Sequence, residues 1–584
     1  MFYGIDTVSG EAATNYVTDD PKLTAGVDFR DLSAGSLDGS EFKPSAADGA
    51  GVNTGVAITS YNDRIIAPTD FTDTPIVVTT ETSATPDIGA WEYSGAHYVN
   101  CNLGTGSNDG TSDTDAWQSI GAITGVGDGD DLYFKAGSTC SGADVPDAGL
   151  VITWDNTTIG AYYGDGIAGL GGGARPIITG DSWTKPTTEK GLISATNETG
   201  VTIKDLRVTD SKWYAIQLKN NGTGNLIENC YTYRSGRHGV LLTGSSNSTI
   251  TKNTIEYASY PINTVNTAGG IAVNGLGAEG TTENNTVSYN TVFHAYEGIN
   301  TSKKARYTII EYNVVYDCRS YHIYSEASKD AIIRYNLTYS STDSGSWNDT
   351  EYGITVDNEY SRGYCYTGGT KIYGNLLANN LIGISILNQW QRGYDENPPN
   401  PTCTQDDNWV YNNTIIDSVQ YNIRVRHDDG TGTPIDAWSG NIIQNNISWT
   451  ITGGSAHVYL SEESTGEAGV TWGYNLWDED PGSGAYDHVN DPINAAPPIS
   501  KTSGWQSLGA GAIDGEQFAI TSAISDGYDN YSYNGIIASD FTADPITLTY
   551  DSVGTTPDIG AWLYEESAPI YPLQGVTLNG AKYN

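Results

Sequence analysis

Two cations stand out by their spacing. Arg306 and Lys329 are 23 residues apart, and each lies seven residues before an asparagine, Asn313 and Asn336. Cleaving a uronic-acid chain needs such a pair: one cation to neutralise the carboxylate and a base to take the proton α to it. The structural alternative is a stack of two cations compensated by a carboxylate such as Asp330. His238, inside Arg237-His238-Gly239, is a third candidate acid-base residue. The remainder of a catalytic set is not legible. Asp428-Asp429 is a carboxylate pair in a glycine-rich loop, too common an arrangement to indicate glycoside hydrolysis.

The asparagines that set this count belong to a repeat. An apolar residue precedes an asparagine in Leu226-Ile-Glu-Asn229, Ile310-Glu-Tyr-Asn313, Trp472-Gly-Tyr-Asn475 and six further phrases ending at Asn253, Asn290, Asn336, Asn375, Asn413 and Asn446. Successive spacings are 24, 37, 23, 23, 39, 38, 33 and 29 residues. A fixed minimum with occasional insertions means stacked units. The residues after each asparagine, as in Asn313-Val-Val-Tyr and Asn413-Thr-Ile-Ile, favour strands. No helical spacing is sustained. Three short strands and three turns fit the shortest unit, which is one coil of an all-β parallel solenoid. Asn229, Asn253, Asn290, Asn313, Asn336, Asn375, Asn413 and Asn446 are then expected to form a buried ladder, amide on amide, at about 4.8 Å.

This phrase pattern resembles the right-handed parallel β-helix proteins of the pectin-lyase-like group, over residues 98 to 565. The resemblance implies a β-helix at 99–485, with 99–150 as its opening or cap, an end module at 486–565 and a tail strand at 566–584. Thr85-Pro-Asp-Ile-Gly-Ala-Trp91 recurs as Thr556-Pro-Asp-Ile-Gly-Ala-Trp562, so residues 1–98 read as a second copy of the end module. Arg237-His238-Gly239 also looks like a phrase in alginate and chondroitin lyases of this fold. The acidic calcium cage of pectate lyases and the paired aspartates of polygalacturonases are not evident. Aspartates such as Asp128, Asp130 and Asp131 could hold calcium, the one cofactor candidate, although the twelve-residue calcium loop is absent.

Coils in register allow neighbours to be read by subtraction. Tyr289, Tyr312 and Tyr335 form one aromatic column and Phe293, Tyr316 and Tyr339 another, serving as structural ladders or as platforms for sugar rings. Glu311 with Arg334, and Lys303 with Glu326, share phases as surface ion pairs. His238 and His322 share a phase three coils apart, about 14 Å, too far to cooperate. Asp205 is expected to extend the ladder below Asn229. Cys365 and Cys403 lie ten residues before Asn375 and Asn413, where a disulfide can close; Cys101 and Cys140 are a second pair, and Cys230 and Cys318 are free buried thiols. Two bridges imply an extracellular or cell-surface setting.

Seventy acidic residues against 28 basic ones give a net charge of −42, which repels nucleic acid and anionic membranes. No apolar run reaches the roughly 18 residues of a membrane span. Met1-Phe-Tyr-Gly-Ile-Asp does not read as a signal peptide. The insertions Tyr339–Tyr373 and Ile384–Trp409 are rich in aromatics and carboxylates. They offer Trp347, Asp357, Glu359, Trp390 and Arg392 as a glycan-binding or subunit-contact surface.

Three functions remain. The first is a structural role, self-association through the end modules into a filament or array, with or without glycan contact. The second is a polysaccharide lyase or hydrolase, tail-spike depolymerases included. The third is a glycan-binding adhesin without turnover. The absence of a legible catalytic set favours the first.

Overall fold

The computed structural model describes residues 95–477 outside 104–107, 165, 182–188, 261–267, 277–279, 342–350, 358–367, 388–404, 427–437, 451–455, 461–469 and 474. Beyond that span it describes only 60–61, 64–65, 493–494, 503 and 518. The end modules, the tail, Cys365, Cys403, Trp347, Glu359, Trp390 and Arg392 therefore lie outside the described residues.

Each coil follows one rule. A three-residue strand such as Ile309–Glu311 turns through two residues into Val314–Tyr316, turns again into the six-residue Tyr321–Glu326, and then returns to Ile332–Arg334 directly above its start. Among the described residues, repetition builds three sheets with 13, 13 and 11 parallel strands, called here the first, second and third in the order a coil visits them; Ile167–Ala168 adds a short antiparallel strand to the first. The path is a parallel β-helix, right-handed as parallel crossovers are.

The central residue of each three-residue first-sheet strand points inward and stacks on its equivalent. Ile227, Ile250, Val287, Ile310, Ile333, Ile372, Val410 and Ile443 are each at most 1% exposed. Burying such a side chain contributes about 1.5–3 kcal/mol, and the column continues from coil to coil.

From Thr202–Lys204 onward, the turn between the first and second sheets is invariant at two residues in the described coils. Its first residue has left-handed backbone, as at Tyr289, Tyr312, Tyr335, Asn412 and Asn445. Gly374 occupies the same position at φ +64°, where a Cβ would meet the Tyr335 ring at 2.5 Å. The second residue carries the ladder. Asn313 Nδ2 donates to the carbonyls of Val287 and Glu311 at 2.9 Å and to Asn336 Oδ1 at 3.0 Å, and its backbone N–H also donates to that Oδ1. The same side-chain link joins Asn253, Asn290, Asn313, Asn336, Asn375, Asn413, Asn446 and Asn475 in sequence.

Asn229 is not part of that column. The register pairs Tyr231 with Thr254, which puts Cys230 opposite Asn253, and Cys230 N–H donates to Asn253 Oδ1 at 2.8 Å. Asn229 sits one place earlier, at φ 51°, donating to Asp205 and receiving Arg175. Asp205 stacks on Asn229 at the outer corner and does not extend the ladder. The physical reason is that Cys230 and Leu206 fill the ladder position with apolar side chains, both 0% exposed.

A second polar column lies at the turn from the third sheet to the first, five residues before most ladder positions. Asn225 Oδ1 accepts from Val201 N–H, Ser248 Oγ from Asn225 N–H, Asn285 Oδ1 from Ser248 N–H and Asn441 Oδ1 from Asn408 N–H. The long spacings in the sequence arise at the two ends of third-sheet strands, never at the ladder corner. The third sheet is therefore the face where this fold tolerates loops.

Candidate functional site

Residues of the third-sheet strands that do not enter the core form its outer face. In Tyr214–Lys219 these are Tyr214, Gln217 and Lys219; one coil on, His238, Leu241 and Thr243 stand beside them. With Glu189, Arg237, Asn274 and Lys303 they line a cavity of about 330 Å³.

At one end Glu189 accepts hydrogen bonds from the Tyr214 hydroxyl and from the Arg237 guanidinium. Arg237 also lies over the Trp213 ring, 5.9 Å from its centroid. Burial, and then the hydrogen bond to Glu189, push the Tyr214 phenol well above its ordinary range, so it keeps its proton at neutral pH. Its ring stacks on His238 at 5.6 Å. His238 is 7% exposed, and its Nδ1 stands 2.8 Å from the Gly269 nitrogen and 3.0 Å from the Gly269 oxygen. The neutral Nδ1–H tautomer and the protonated ring can both donate to that carbonyl, and the other neutral tautomer can accept from that N–H, without moving. At the far end are Lys219 and Lys303, about 16 Å away along the strand.

The structure places the two cations named from spacing outside this cavity. Arg306 and Lys329 are in-register neighbours, as the count requires, but Glu283 completes the column beneath them. Arg306 lies 3.8 Å from Glu283 and 3.4 Å from Asp330 and covers the Tyr307 ring. Neither Arg306 nor Lys329 lines the cavity that holds His238. His238 and His322 do not share a phase: counted from Cys230 the first shifts by one place, so His238 faces outward and His322 inward. His322 is 0% exposed, and its Nδ1 pairs with Asn380 Oδ1 at 2.8 Å. Lys303 is likewise displaced, since Glu326 pairs with Ser302.

Other expected contacts are placed directly. Glu311 and Arg334 form an ion pair at 2.6 Å. Tyr289, Tyr312 and Tyr335 stack at 4.9 and 5.3 Å, and Phe293, Tyr316 and Tyr339 at 5.0 and 4.9 Å. Tyr335 and Tyr339 are 0% exposed, which fits a structural ladder there and not a sugar platform. Cys101 and Cys140 form a disulfide, and Cys230 and Cys318 are free and buried. Asp357 is buried at the end of its strand, in register with Glu326 and accepting from the Tyr324 hydroxyl at 3.4 Å. The opening aspartates cap backbone: Asp130 accepts from Gly95 and Gly127, and Asp128 from Asp155 N–H. Among the described residues, no three His, Cys, Asp or Glu side chains are grouped to hold a metal, and no helix is long and apolar enough to cross a membrane.

A family described as right handed beta helix region matches residues 191–361. The matched span contains the cavity lining apart from Glu189, and four of the eight ladder asparagines, Asn253, Asn290, Asn313 and Asn336. No curated protein matches the chain. Among solved structures, the chain is similar to a GH136 lacto-N-biosidase from Eubacterium ramulus, at 14% identity over 65% of this chain and 67% of that one, with a TM-score of 0.44. It is similar to pectate lyase Pel9A at 17% identity over 80% and 96% of the two chains, TM-score 0.41. It is also similar to PfbA, a surface adhesin of Streptococcus pneumoniae, at 12% identity over 59% and 82%, TM-score 0.40.

Proposed function

We propose that the third-sheet cavity binds an acidic polysaccharide and cleaves it by β-elimination. The observation that carries this reading is the convergence of Arg237, Lys219 and Lys303 with Tyr214 and His238 in one cavity of a chain whose net charge is −42. On so acidic a protein, three cations lining one cavity select an anion.

Arg237, already oriented by Glu189, takes the uronate carboxylate and lowers the cost of charge developing on it. His238 Nε2 accepts the C5 proton while Nδ1–H is held by the Gly269 carbonyl. The electron pair forms the C4–C5 double bond, the C4–O bond breaks, and the Tyr214 hydroxyl supplies the proton to the leaving oxygen. Lys219 and Lys303 hold a second acidic sugar along the strand. The Cys101–Cys140 disulfide supports an extracellular or surface location for this chemistry.

Hydrolysis is the second reading, favoured by Glu326 and Asp357. They are in-register residues on adjacent third-sheet strands, whose backbones lie about 4.8 Å apart, and glycoside hydrolysis uses a pair of carboxylates. Incubation with alginate, polygalacturonate and chondroitin sulfate separates the two. Elimination leaves an ultraviolet-absorbing unsaturated end, whereas hydrolysis leaves only new reducing ends.

A further inference from the structure

Around one corner from the cavity, the outer face of the second sheet carries an array of tyrosines and arginines that the ladder does not use. Arg207 lies over Tyr231 at 4.9 Å, and Arg234 lies between Tyr233 at 4.8 Å and Tyr260 at 5.0 Å. Tyr257 meets Tyr233 and Tyr260 edge to face at 5.7 and 5.9 Å. All six side chains are half-buried or exposed, Tyr260 at 40%. The Nε of Arg207 and of Arg234 has no hydrogen-bond partner, and no carboxylate among the described residues lies within 4.0 Å of either guanidinium. On a protein with 70 acidic residues, two arginines seated on rings and away from carboxylates are unusual. The nearby Glu256 accepts from the Tyr231 hydroxyl and leaves a carboxylate oxygen for a sugar hydroxyl.

The array is continuous with the cavity. Two residues, Ser235 and Gly236, separate Arg234 from Arg237. The coil that carries Tyr260 is bonded to that corner, Tyr260 N–H donating to the Ser235 carbonyl at 2.8 Å and Ser259 N–H to the Arg237 carbonyl at 2.7 Å. Aromatic faces take the C–H face of a sugar, and guanidinium edges take carboxylate or sulfate. We infer that the acidic glycan held in the third-sheet cavity continues over the Ser235–Arg237 corner onto this platform of Arg207, Tyr231, Tyr233, Arg234, Tyr257 and Tyr260, a binding site separate from the reacting atoms. This rests on the cavity being the polysaccharide site.

Affinity gel electrophoresis in alginate, polygalacturonate or chondroitin sulfate tests it without requiring turnover. Tyr233→Ala, Tyr260→Ala and Arg234→Ala are compared with the parent, and their thermal unfolding is checked for an intact fold. The expected result is an affinity for the retarding polymer about tenfold weaker in each variant. Binding of that polymer's trisaccharide, which fills only the cavity, stays unchanged. Equal retardation of parent and variants, equal weakening on polymer and trisaccharide, or a parent that none of the three polymers retards would each overturn the inference. If the parent binds through the platform but forms no unsaturated product, the elimination chemistry fails and the platform stands.

Discussion

Tyr214 and His238 stack at 5.6 Å on adjacent coils, although 24 residues of chain separate them. One supplies a phenol that burial keeps protonated, and the other an imidazole whose Nδ1 the Gly269 backbone can hold in either protonation state. His238→Phe keeps the ring stack and removes both nitrogens. Turnover of the acidic polymer is expected to fall by about 10²-fold or more while polymer affinity is retained. Initial rates of unsaturated-product formation and affinity electrophoresis read the two separately, and unchanged turnover would exclude His238 as the base.

Asn336→Leu should be far more damaging than Asn229→Ala. Asn336 Oδ1 accepts the Asn313 N–H, and its Nδ2 satisfies Ile310, Arg334 and Asn375, all in the interior. Leucine leaves those groups unpaired, at a cost of about 2–4 kcal/mol. Asn229 sits at the outer corner, half-buried, and its loss should cost about 1 kcal/mol or less. Denaturant midpoints of the two variants check the difference.

The coil repeat was legible because eight asparagines and one apolar column recur at fixed phase, and packing leaves little freedom to slip. The error at Asn229 arose because asparagine is also favoured at left-handed corners, so residue type alone did not distinguish position 229 from 230. That single place moved His238 from the inner to the outer face. The second polar column was readable as a polar residue five places before most ladder positions, among them Ser248, Asn285, Asn408 and Asn441. The cavity was not, because Glu189, Tyr214, Arg237 and Lys303 come from different coils at different phases and form no local motif. For Arg306 the count supplied one neighbouring carboxylate, Asp330, and missed the other, Glu283, which comes from the coil below.

His322 contributes to the acid limb of stability. Burial pushes its pKa down to about 3 from 6.5. The unfolded chain takes up this proton as pH falls below about 6.5, while the folded one does not until about 3, so the folded state loses stability across that window and is unaffected above it. The slope from this residue is about 1.4 kcal/mol per pH unit. His322→Gln keeps a donor for Asn380 and should flatten stability between those limits. Urea midpoints across the pH series measure it; parallel acid limbs for parent and variant would remove His322 as the cause.

The Cys101–Cys140 bridge closes 39 residues at the start of the solenoid. Cys101→Ser with Cys140→Ser should destabilise the opening coils by about 2–4 kcal/mol and leave the coils beyond Asn253 protected. Residue-resolved hydrogen exchange checks this, with faster exchange expected at Leu132 and Phe134 and little change at Ile333.

The most direct measurement is the rate at which unsaturated uronate ends appear when the full chain is incubated with alginate, polygalacturonate and chondroitin sulfate, alongside Arg237→Ala with its fold verified. Release from at least one polymer, reduced about 10²-fold in the variant, is the expected result. No ultraviolet signal from any of the three, or a rate that survives loss of Arg237, would contradict elimination in the third-sheet cavity.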